Sequence, residues 1–348
     1  MIGTMTRDDR RVDKGAKRRA HVMVGTLRFA HPTVAAAALL AAISAPALAQ
    51  DYPVRPIRAI TATSAGGTSD IFMRLIGDAF QKRFGQPIIV ENRPGGSMMI
   101  GGHACAAAPN DGYTICILPV ETLAYNQFLY KKVPYDPQKD FAPITNPFFN
   151  TQVLVASSTL GVNTLGDVAA ASRAKPATMS YAVPSVPLAL FLEHWKATSG
   201  ADLVRVPFKG GAEAVNGVLS GATPVAFFGL ANWISHIRSG AVKALAVDGE
   251  ARSPLLPEVP TLRELGYDGP LTRVYFGIVA PAGTGKPILA KLRDEIARIG
   301  NEATFRRQRL IEAGLEPVLD TPEDFARFLK EDRARSEQIV KEAGLAPQ

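Results

Sequence analysis

From residue 57 onward the chain switches repeatedly between two hydrophobic periods. Residues 57–61 form a short apolar run, as expected of a strand buried on both faces. Phe72, Leu75, Ile76, Ala79 and Phe80 then recur at helical spacing over 71–84, and Gly85 supplies the stop. Residues 87–90 predict a second buried strand. The polar turn Glu91-Asn92-Arg93-Pro94-Gly95-Gly96 opens a helix of small residues that ends before Pro109, and Asn110-Asp111-Gly112 signals a turn into a third strand over 113–120. Strands alternating with helices predict a parallel α/β sheet. A proline-marked loop (Pro134, Pro137, Pro143) leads to 153–156, a short strand suited to crossing between domains. A second series follows: a helix over 165–173 capped at Asn163 or Thr164, a strand over 179–183, a helix after Pro184-Ser185-Val186-Pro187, and a strand over 203–206. After the turn Phe208-Lys209-Gly210-Gly211-Ala212 come a helix to Gly221 and strands over 225–228 and 243–247. Residues 275–280 predict the crossing back. The end is helical, with Thr321-Pro322-Glu323-Asp324 combining an N-cap, a first-turn proline and acidic residues.

The first fifty residues stand apart from this pattern. Eight Lys/Arg precede an apolar run over 34–43, and Ala47-Leu48-Ala49 fits a small-x-small cleavage site, so residues 1–49 are read as an export signal cut before Gln50. The run is too short to span a bilayer, and the general secretory route fits better than a twin-arginine one. The length of the leader suggests a true start at Met5 or Met23. The formal charge of the whole chain is +7, but the leader holds eight basic and three acidic groups, which leaves the remainder near +2. That excludes a basic nucleic-acid-binding surface. The mature length implies two domains. Cys105 and Cys116 are read as two small buried thiols, with pairing in an oxidising compartment as the alternative. Two cysteines and scattered histidines offer no metal-ligand spacing, and no cofactor is expected.

The stretch most suggestive of binding is Thr61 to Asp70, where Gly66 and Gly67 join the first strand to the first helix. Thr68, Ser69 and Asp70 are helix-capping residue types, and free amides at the positive end of a helix dipole attract anions. Other motifs fail. Gly283-Thr284-Gly285-Lys286 lacks the leading glycine and the Ser/Thr of a phosphate loop, with Pro287 in the latter place. His103, His194 and His236 have no nucleophile or carboxylate at a telling spacing, so no enzyme is expected. Trp195 and Trp233 are read as core.

Several motifs together carry a family likeness: Tyr52-Pro53-x-Arg55-Pro56-Ile57, Ala65-Gly66-Gly67-x-x-Asp70, Gly85-Gln86-Pro87-x-x-Val90-Glu91-Asn92-Arg93-Pro94-Gly95, Pro109-x-Asp111-Gly112-Tyr113-Thr114, Val206-Pro207-Phe208-Lys209-Gly210-Gly211 and Leu256-Pro257-x-Val259-Pro260-Thr261. In this order the chain resembles the Bug-type extracytoplasmic substrate-binding proteins of tripartite tricarboxylate transporters. The resemblance implies an α/β fold of the periplasmic binding protein type II kind, in which two lobes, each a mainly parallel sheet flanked by helices, are joined by crossing strands. It implies a first lobe from 50–152 and 274–348 and a second from 153–273. It further implies a periplasmic receptor, monomeric, that encloses a small organic acid or related carboxylate and passes it to the membrane subunits of a transporter. The alternative is a binding module that reports ligand to a sensor protein. The implied ligand-binding residues are Thr63, Ser64, Ala65, Gly66, Gly67, Thr68, Ser69 and Asp70 in the first loop, Val183, Pro184, Ser185 and Val186 in the second, and Lys209, Gly210 and Gly211 in the third.

The chain departs from the family pattern at the second loop. Where glycine and serine are expected, it reads Ala182-Val183-Pro184-Ser185-Val186-Pro187, with two N–H donors removed by proline and one hydroxyl left. A second ligand carboxylate there would lack partners, so a monocarboxylate with an apolar or aromatic body is expected.

Overall fold

The structure, a computed structural model, describes residues 52–206, 208, 211–267 and 273–348. The leader with its cleavage point before Gln50 lies outside the described residues, as do Pro207, Lys209 and Gly210. Strand β1 (Ile57–Thr61) buries Ile57, Ala59 and Ile60. Helix α1 (Thr68–Phe84) turns Phe72, Met73, Ile76 and Phe80 inward and stops at Gly85, whose φ of 68° suits glycine. Its N-cap is Gly67, with no side-chain cap; the Thr68, Ser69 and Asp70 expected to cap lie inside the first turn. Strand β2 (Ile88–Asn92) is followed by helix α2 (Met99–Ala106) and by the wholly buried β3 (Thr114–Pro119). The small residues of α2 have a packing reason: a Cβ on Gly101 would lie 2.6 Å from the Cα of Ala62, just past the end of β1. Cys105 and Cys116 are joined in a disulfide, with Cα atoms 6.1 Å apart, which corrects the reading of two free thiols. The bond ties α2 to β3.

Next come β4 (Phe141–Thr145), β5 (Phe148–Asn150) and β6 (Gln152–Ser157). Pro143 made β4 look like loop, but β4 is an edge strand, where a missing N–H costs the ladder little. Helix α3 (Leu165–Ala174) settles its cap on Thr164, which forms a reciprocal capping box with Asp167. Then follow β7 (Met179–Ala182), α4 (Val186–Ser199), β8 (Leu203–Val206), α5 (Gly211–Leu219), β9 (Val225–Gly229) and β10 (Val242–Val247). The chain closes with β11 (Phe276–Pro281), α6 (Lys286–Asn301), β12 (Leu315–Pro317) and α7 (Pro322–Glu342). Thr321 caps α7 as expected, its Oγ accepting the Asp324 N–H at 3.1 Å.

Two five-stranded sheets organise the lobes, in the orders β2-β1-β3-β11-β4 and β10-β6-β9-β7-β8; β5 and β12 pair separately. β1, β2 and β3 run parallel, as do β7, β8 and β9. The strands that join the lobes, β6 and β11, pair antiparallel with their neighbours, so each sheet is mixed. One face of the first sheet packs against α1 and α6, the other against α2 and α7. Trp195 and Trp233 are buried, one in each of the two clusters of the second lobe. Among the described residues, no helix is long and apolar enough to cross a membrane.

Candidate functional site

The turn between β1 and α1 is held from beneath by a hydroxyl cluster. The Ser69 Oγ lies 2.8 Å from the Thr61 Oγ and 2.6 Å from the Thr63 Oγ, so the side chain that was to cap the helix instead ties its first turn to the strand end. Asp70 is only 3% exposed. Its carboxylate accepts the Gly66 N–H at 2.9 Å, the Asn92 amide at 3.1 Å and the Arg74 guanidinium at 2.9 Å. Burial opposes its charge, yet the donors from Arg74, Gly66 and Asn92 outweigh burial and hold the carboxyl below its ordinary value. Asp70 therefore orients the turn, with its oxygens turned inward. Asn92 also donates to the Thr63 carbonyl at 3.1 Å, fastening the end of β2 to the same turn. The tip, Ser64, Ala65 and Gly66, is exposed, and Thr63, Gly67 and Thr68 are half-buried. Gly66 has φ 80°, a left-handed conformation that favours glycine.

The second loop sits at the mouth of α4. Val183 and Ser185 are buried, Pro184 is exposed and Val186 is half-buried. The Ser185 hydroxyl donates to the Glu121 Oε1 at 2.7 Å. Glu121 follows β3 of the first lobe, so this bond joins the lobes, and Val186 and Leu190 pack into the first-lobe cluster that contains Leu123, Ala124 and Tyr125. Glu121 was missed in the sequence: a lone acid beyond a buried strand carries no spacing signal, and its partner is 64 residues away. Of the third loop, Gly211 opens α5, while Lys209 and Gly210 lie outside the described residues.

A cavity of about 1020 Å³ opens elsewhere, beside the crossing segments, where Phe149, Asp248, Arg273, Phe328 and Asp332 line it. It takes in none of the three loops. Asp248 and Asp332 each have a buried oxygen with no hydrogen-bond partner, and burial pushes both carboxyls up to about 6. Among the described residues, no group of three His, Cys, Asp or Glu is placed to hold a metal ion.

Two mixed sheets joined by antiparallel crossing strands, with turns from both lobes at the strand ends, define a two-lobed periplasmic binding protein. Solved structures agree. One described as Rpa4515 of R. palustris with adipate has a TM-score of 0.78 at 30% identity, covering 86% of this chain and all of that one. Another, the periplasmic binding protein BugD, gives 0.75 at 28% identity, over 85% of this chain and all of that one. A third, MatC from Rhodopseudomonas palustris with bound malate, gives 0.72 at 28% identity, over 83% of this chain and all of that one. Protein BugT of Bordetella pertussis is 32% identical over 311 residues, 87% of this chain and 94% of its own length. Residues 72–345 match the family described as the tripartite tricarboxylate transporter family receptor, and the chain belongs to that family. Its members are solute-binding receptors.

Proposed function

We propose that the protein is a periplasmic receptor that holds a small carboxylate between its lobes and delivers it to the membrane subunits of a tripartite transporter. The observation that carries this reading is the turn at Thr61 to Asp70, pinned from within by Ser69, Asp70 and Asn92 so that the exposed tip at Ser64, Ala65 and Gly66 is left to meet a ligand. Main-chain amides at a helix N-terminus favour an anion, and a turn ordered before the ligand arrives loses little entropy on binding it. The adipate and malate named with two related structures are small carboxylates, though each carries two carboxyl groups where a monocarboxylate is expected here. The lobes in this reading are 50–152 with 274–348, and 153–273. The binding loops are Thr63 to Asp70, in which Ser69 and Asp70 hold the turn rather than touch the ligand, Val183 to Val186, and Lys209 to Gly211.

A thermal-shift screen of small mono-, di- and tricarboxylates on the chain from Asp51 onward tests it. A ligand at a hundred times its dissociation constant adds about 2.7 kcal/mol to stability, which raises Tm by several degrees in a chain of this length. No shift with any carboxylate, against a clear shift with a cationic or neutral solute, would overturn the reading. Export is tested separately by mass spectrometry of the periplasmic protein, which should begin at Gln50 or Asp51.

A further inference from the structure

The loop that opens α4 already holds a carboxylate, and it belongs to the protein. Ser185 is the N-cap of this 14-residue helix, yet its side chain caps nothing: its hydroxyl donates instead to the Glu121 Oε1 at 2.7 Å. The main-chain amides of Val186, the first residue of the helix, and of Glu121 itself favour the charged form of that carboxylate. Glu121 is 8% exposed, and among the described residues no lysine or arginine forms an ion pair with it. A buried acid held by a hydroxyl beside the main-chain amides of a helix start is held in the manner that suits a bound carboxylate ligand. Burial pushes its carboxyl upward, with the Ser185 hydroxyl and the neighbouring main-chain amides acting in the opposite sense. Glu121 reaches these donors from the first lobe across to the second, so its carboxyl occupies the seam that a ligand between the lobes would share.

We propose that Glu121 fills, from within the protein, the place a ligand's second carboxylate would take at the start of α4, so that the cleft admits acids with one carboxylate and an apolar remainder. This rests on the carboxylate-receptor reading above, with residues 183–186 forming one wall of the cleft. A dicarboxylate would have to displace Glu121 or bring a second negative charge against it, and both are costly beside a buried acid that no cation among the described residues pairs with. The second-loop prolines, Pro184 and Pro187, point the same way by removing donors.

Hexanoate and adipate are the probes, since they match in length and differ only in the second carboxylate. Calorimetry on the wild-type chain should give at least tenfold tighter binding of hexanoate. In Glu121→Ala the vacated donors should accept the distal carboxylate, so that adipate gains tenfold or more and the preference inverts. Glu121→Ser opens the same space while leaving a hydroxyl to meet Ser185. It should show the same inversion, and it decides the question if the alanine variant does not fold. Adding Ser185→Ala should remove most of the adipate gain, which general loosening of the seam would not do. Wild type that prefers adipate, or folded variants that keep the wild-type ratio, would overturn the role of Glu121 and leave the receptor reading standing. Wild type that binds neither acid, nor any carboxylate in the thermal screen, would overturn both.

Discussion

Asp332 offers a direct measurement of what burial of an acid costs this fold. It lies on α7, 1% exposed, among the residues lining the 1020 Å³ cavity, with Oδ2 accepting the Tyr275 hydroxyl at 3.0 Å and Oδ1 buried without a partner. Burial pushes its carboxyl from the ordinary 3.8 up to about 6, against the pull of the Tyr275 hydroxyl and the charges of Arg335 and Arg333. Because the folded value is the higher one, the native state keeps a proton that the unfolded chain has released. Stability therefore falls as pH rises from about 4 to about 6, and this contribution is flat above about 7. Two pH units at about 1.4 kcal/mol each give roughly 3 kcal/mol lost between pH 4 and pH 8. Asp332→Asn removes the titration and keeps an oxygen for Tyr275. Urea unfolding of wild type and variant at pH 4.5 and pH 8 should find the variant about 2 kcal/mol the more stable at pH 8, with the advantage gone or reversed at pH 4.5. Using the difference between the two proteins cancels the similar upward shifts of Asp248 and Asp320. A difference that is the same at both pH values would refute this account of Asp332.

Further outcomes follow from the turns and their supports. Asp70→Ala strips partners from the Gly66 N–H and the Asn92 amide; with Arg74 half-exposed and its ion pair discounted, the turn loses about 2 kcal/mol of order and carboxylate affinity should fall about tenfold or more by calorimetry. Unchanged affinity in a folded Asp70→Ala protein would take this turn out of the site. Gly101→Ala drives a methyl against the backbone at Ala62 and should cost about 2 kcal/mol in urea unfolding while also weakening ligand binding, since the binding turn begins there. Reduction of the Cys105 to Cys116 bond, which spans 11 residues, should lower stability by about 3 kcal/mol on the chain-entropy account, read as a fall in Tm under reductant; an unmoved Tm would count against it.

Much of the architecture was legible because it depends on local patterning. The helical spacing of Phe72, Ile76 and Phe80, the run at 57–61 and the cap at Thr321 each need only a short window, and each is found where the residues place it. What escaped depends on distant neighbours. β4 was hidden by Pro143 because an edge position cannot be read from one strand alone, and β5 and β12, three residues each, are too short to show alternation. Asp70 was seen, but its role was left open between ligand and turn; the partners that favour the turn are Arg74 one helical turn on and Asn92 at the end of another strand. Cys105 and Cys116 could be placed on a helix and the next strand, but their bonding range depends on how α2 packs on the sheet, as at Gly101, which no local window shows.

The position of β11 has a consequence for the order in which the chain can assemble. It lies between β3 and β4 and is the strand that pairs with both. Strands β7 to β10 with β6 come from one continuous stretch, so the second sheet can close as soon as that stretch exists. The first sheet stays in two pieces until residues 276–281 have been made, and its flanking helices α6 and α7 come later still. Long-range pairing of this kind is slow to form. Strands β1 to β4 therefore wait, unclosed as a sheet, until the last quarter of the chain has been synthesised.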